Sequence, residues 1–157
     1  MTKEVVLAGL ARAFQAARRP ESPERLTTGG IDGPYVVKHF LGKTRAEVEE
    51  GFLPSLHMKD FTYMTVEAIA YYLPAPLRLM LETPYDDELW LYLHGFLRPG
   101  KGYREGVWDL DPPQLDAIAD WAHYLAEAWE RELPAFFDAD DVARAAELAR
   151  AYQQPRG

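Results

Sequence analysis

Between Asp111 and Pro134 the chain carries a pattern that a helix satisfies and a strand does not. Asp111 precedes Pro112, and Gln114 stands three residues after it, which is the chemistry of a helix N-terminus with proline in its first turn. Beyond that start, Leu115, Ile118, Ala122, Leu125 and Trp129 recur at helical spacing. Asp116, Asp120, His123, Glu127 and Glu130 follow at intervals of 4, 3, 4 and 3, along the opposite stripe. A segment with one apolar and one acidic side has to lie on the outside of a core, apolar stripe inward. Pro134 stops it, since a proline neither donates to the helix ladder nor tolerates helix before it.

The rest of the chain reads in the same grammar. Val6, Leu7, Leu10, Phe14 and Ala17 predict a first helix over 3–18, stopped by Pro20. Residues 20–34, punctuated by prolines and glycines, read as loop. Thr44 with Glu47 forms a capping box for a short helix ending near Gly51. Thr65 opens an apolar run to Leu81 that Pro74 and Pro76 must kink or break. Asp86, Asp87 and Glu88 favour a helix start by their charge, ahead of the nearly all-apolar Leu89–Leu97. A last, alanine-rich helix runs from Ala139 to about Gln153, capped by Asp138 or Asp140. Tyr35 to Leu41 reads as a strand or an extended arm, and one strand makes no sheet. The expectation is an all-α, single compact domain over residues 1–157, with about five to seven helices and one short extended arm.

Composition removes several functions. The chain has no cysteine, which excludes disulfides, zinc–thiolate sites and a cysteine nucleophile. No apolar run reaches membrane-spanning length, and Glu4 followed by arginines argues against a secretory leader, so a cytoplasmic protein is expected. Only Ser22 and Ser55 are available as serine nucleophiles, and neither stands in G-x-S-x-G. Gly95 to Lys101 spells G-x-x-x-x-G-K, but Gly102 stands where a phosphate loop needs Ser or Thr, so it reads as a glycine-rich turn. The net charge of −8 is one-sided: residues 1–78 sum to +1 and residues 79–157 to −9. Such a field disfavours nucleic acid and steers basic partners.

The stretch Asp60-Phe61-Thr62-Tyr63-Met64-Thr65-Val66-Glu67-Ala68-Ile69-Ala70-Tyr71-Tyr72-Leu73-Pro74-Ala75 resembles a family of small helical bacterial proteins of unknown function, with a D-F-x-x-[LM]-T-x-E-A-x-x-Y-Y-L-P-A-like core. The resemblance implies a helical bacterial protein of about this size. It implies no activity and carries over no catalytic residue.

Three functional readings remain. The first is a non-enzymatic acidic binding or regulatory protein, immunity-like, that holds a basic protein through the stripe Asp116, Asp120, His123, Glu127 and Glu130. Asp120, His123 and Glu127 could also be read as metal ligands, but a stripe of carboxylates is the ordinary make-up of a solvated helix face, and no metal or cofactor is expected. The second is a small enzyme with an acid–base site between helices, built from His57, Asp60, Tyr63 and Tyr72, because a carboxylate near a histidine fixes its tautomer. The third is a structural or oligomeric subunit in which Tyr103 and Trp108 of the loop at 98–110 anchor a symmetric contact. His94, in the most apolar helix, reads as a hydrogen-bonded core histidine, and His39 has no acidic neighbour in the sequence.

Overall fold

The structure, a computed structural model, describes residues 1–99 and 105–155. Eleven helical segments occur among them: α1 (Lys3–Ala13), α2 (Pro23–Leu26), α3 (Gly33–Phe40), α4 (Arg45–Glu50), α5 (Pro54–Phe61), α6 (Val66–Tyr72), α7 (Pro74–Glu82), α8 (Asp87–Leu97), α9 (Glu105–Trp108), α10 (Pro112–Arg131) and α11 (Ala139–Tyr152). No strand occurs among the described residues, only an isolated antiparallel bridge between Thr27 and Met64. The class is all-α, with more and shorter helices than the sequence suggested.

The starts follow local chemistry. Thr44 accepts from the Glu47 amide while the Glu47 side chain accepts from the Thr44 amide, closing the capping box of α4. Thr65 accepts from the Ala68 amide at the head of α6, and Asp86 from the Leu89 amide at the head of α8. Asp111 and Gln114 make the same exchange for α10, as do Asp138 and Asp141 for α11. The proline pair divides the run after Thr65 into α6 and α7 at Leu73.

Tyr35–Leu41 corrects the sequence reading. It is not an extended arm: α3 covers Gly33–Phe40, with Pro34 in its first turn. Val36 and Phe40, four residues apart, are both fully buried, and burying that pair overrides the strand preference of the β-branched Val36 and Val37. The segment at 54–61, left without an element in the sequence reading, is α5. The loop read at 98–110 contains α9, and Trp108 stacks on Tyr152 with ring centroids 4.4 Å apart. Tyr103 and the Gly100–Lys101 end of the glycine-rich turn lie outside the described residues, whereas Gly95 sits inside α8.

The core is one contiguous cluster, with α10 at its centre. The predicted inner stripe of α10, from Leu115 through Ile118, Ala122 and Leu125 to Trp129, is buried throughout. α10 and α11 pair most extensively, joined by residues 132–138 into a helical hairpin, and α1 lies against α10 and α7. Indole and phenol groups tie this core across helices. Trp121 donates to the Leu77 carbonyl at 2.9 Å, Trp129 to the Pro84 carbonyl at 3.0 Å, and Trp90 to Asp141 at 3.1 Å. Tyr152 donates to the carbonyl of Leu97, the last residue of α8, at 2.7 Å. Replacing Tyr152→Phe keeps the stacking on Trp108 but strips that buried carbonyl of its donor, and should lower stability by about 1–2 kcal/mol in urea denaturation. An unchanged midpoint would remove this bond from the account of how α8 is anchored to α11.

Candidate functional sites

The acidic stripe of α10 does not face open solvent alone. Asp116, Asp120, His123, Glu127 and Glu130 all line one side of a groove of about 700 Å³ between α10 and α11. Its floor includes Ala119 and Ala126 from α10 with Ala146 and Ala149 from α11. Arg150, Gln153 and Gln154 form the other wall. Small side chains at the hairpin seam leave the depression, and the helical register puts the carboxylates on its rim. His123 pairs with Glu127 one turn on, and Asp116 accepts from the Gln154 amide at 2.8 Å, which pins the chain after α11. All five residues named from the sequence therefore meet in one place. Sequence spacing identified that wall. It did not identify the α11 side, which depends on how the hairpin closes.

The second candidate group is rearranged. His57 and Asp60 are both buried on α5, but no hydrogen bond joins them. His57 Nδ1 instead accepts from the backbone amide of Leu53 at 2.9 Å, tying down the start of α5, where no side-chain cap exists. Its ring packs edge-on against Phe40 and Phe52. Burial holds the His57 imidazole below its ordinary value of 6.5, against the raising effect of the Leu53 bond. Tyr72 is also separate. It is fully buried, its hydroxyl is 2.6 Å from the Lys43 carbonyl and 2.9 Å from that of Phe40, and its phenol is pushed beyond the usual range by burial. It secures the end of α3 and does not reach a cleft.

The partner that Asp60 takes is His39 of α3, with Nδ1 2.5 Å from Oδ2. Burial pushes the Asp60 carboxyl above its ordinary 3.8, although the bond to His39 pulls it down. Tyr63, the remaining residue of the predicted set, joins His39 and Asp60 in lining a cleft of about 500 Å³ between α3 and α5. Asp32, Tyr35, Leu56, Lys59 and Thr62 complete its walls. Sequence reasoning misses His39 because its carboxylate stands 21 residues away and the segment that carries His39 reads as extended.

Among the described residues no group of three or more His, Cys, Asp or Glu side chains is arranged to hold a metal ion, and no helix is long and apolar enough to cross a membrane. No protein-family model, curated protein or solved structure matches this chain. Both sites are therefore read from their own chemistry.

The buried histidine has a pH consequence. Because folding lowers the His57 pKa, the unfolded chain binds the proton first, and stability falls as pH drops below about 6.5. Asp60, raised on folding, acts with the opposite sign in a window that opens at 3.8. Thermal unfolding followed from neutral to mildly acidic pH should decline less steeply in His57→Gln than in the wild type. Identical slopes would show that His57 is not carrying this linkage.

Proposed function

We propose that the protein is a non-enzymatic binding module whose working surface is the α10/α11 groove, and that its partner presents lysine or arginine side chains. The observation that carries this reading is the convergence of all five stripe residues on one groove over an alanine floor. Such a floor suits the aliphatic stems of long basic side chains, while their charged heads reach the carboxylates on the rim. Four carboxylates face one arginine, Arg150, across the groove, so its own charge balance favours a cation. The excess of acidic side chains in residues 79–157 adds a field that draws such a partner from a distance. An immunity-like or regulatory role, in which a basic surface is covered, fits this layout. The sequence resemblance over residues 60–75 supports a helical bacterial protein and supplies no competing activity.

The test is isothermal titration with a short arginine- and lysine-rich peptide against the wild type and a variant carrying Asp116→Asn, Asp120→Asn, Glu127→Gln and Glu130→Gln. Wild-type affinity should fall with rising salt, as exposed charge pairs are screened over about 8–10 Å at physiological ionic strength. The variant should lose most of the binding while its unfolding midpoint stays close to wild type, because these side chains lie on the surface. Equal affinity in the two proteins would reduce the stripe to a solvated face.

A further inference from the structure

The cleft between α3 and α5 has a chemistry unlike that of the groove. An imidazole is a stronger base than a carboxyl group, so the His39–Asp60 bond is donated by Nδ1–H to an Asp60 carboxylate. When the ring carries one proton, that bond sets its tautomer and leaves Nε2 as a lone-pair acceptor. Among the described residues Nε2 takes no hydrogen bond, and His39 lines the cleft. Asp60 behind it is buried, with a side chain only 7% exposed against 16% for His39. Both residues line the cleft, and the imidazole is the more exposed of the pair. In front, Tyr35, Tyr63 and Leu56 offer exposed apolar surface, and Lys59 stands on the rim. A cleft of this volume lies in the range of small-molecule sites. A carboxylate that orients a histidine lining a cleft with aromatic rings is the arrangement of a general base.

We propose that this cleft is a second site, for a small molecule that carries an acidic hydroxyl on a flat ring, with His39 as the base and Asp60 as its positioning residue. The ring lies against Tyr35 and Tyr63, and its hydroxyl meets Nε2. The proton passes from the hydroxyl oxygen to Nε2: the O–H bond breaks, the N–H bond forms, and the oxygen keeps the electron pair as a phenolate-type anion. Asp60 stabilises the resulting imidazolium, and Lys59 offsets the Asp32 carboxylate, which lines the same cleft. The proton returns to the oxygen on release, so no co-reactant is needed. The titratable groups facing His39 are Asp60 and His57 from α5, with Asp32 ahead of α3 and Lys59 at the cleft edge. None belongs to the groove between α10 and α11, so this site stands or falls independently of the binding reading above.

The probe is 4-nitrophenol, whose phenolate absorbs visibly and whose phenol does not, used at a mildly acidic pH where the free probe is neutral. The wild type should bind it saturably and raise the phenolate band. His39→Gln should weaken binding about tenfold or more and abolish the band. Asp60→Asn should retain some binding with a smaller band, because an amide cannot stabilise the imidazolium by charge. The four-residue stripe variant should bind the probe as the wild type does. Nitrogen-15 spectra of the imidazoles add a measurement that needs no variant: His39 should carry its proton on Nδ1 in the free protein. Absence of saturable binding, equal binding and band in His39→Gln, or a singly protonated His39 ring with its proton on Nε2 in the free wild type would each overturn the proposal.

Discussion

A chain that breaks into many short helices is governed by its helix ends. Each end leaves backbone donors or acceptors without partners inside the helix, and eleven segments multiply that demand. The N-termini are satisfied locally by Thr44, Thr65, Asp86, Asp111 and Asp138. Several C-terminal ends are satisfied from a distance. The single Tyr72 hydroxyl proton is shared between the carbonyls of Phe40, which ends α3, and Lys43, and Tyr152 closes the end of α8. These aromatic side chains fill the core with their rings and complete the backbone with their hydroxyls. The fold depends on that double use, because a buried carbonyl without a donor costs about 1–3 kcal/mol.

This division also explains what the sequence disclosed. The starts of α4, α6, α8, α10 and α11 were legible, since a cap and its partner lie within three residues of each other. α3 and α5 were not, for the same reason in reverse: neither has a side-chain hydrogen bond at its N-cap. α5 is tied at its start by His57, a residue type that carries no capping signal. The wall of the acidic groove was legible because it lies on one helix at helical spacing. The His39–Asp60 pair joins two helices whose relative placement only the packed core decides, and no local pattern announces it.

The two sites share little. The groove is built along the α10/α11 hairpin from exposed charges over small side chains. The cleft is built across α3 and α5 around a buried carboxylate. α10, which forms the groove wall with its outer face, supports the core with its inner one. Exposed substitutions on the first face thus leave the second intact, whereas the cleft has less freedom: His39 and His57 are edge-on neighbours, with ring centroids 6.0 Å apart, and His57 holds the start of α5.

The contact of α1 with α10 joins parts of the chain about a hundred residues apart. On the ribosome, α1 emerges well before α10. At about 5–20 residues per second, the apolar face formed by Val6, Leu10 and Phe14 waits roughly 5–20 seconds for its principal partner to be synthesised. α7 can cover part of that face before α10 is made, but the rest stays open until α10 follows. The order of synthesis, as much as the final packing, therefore decides how long the apolar face of α1 remains uncovered.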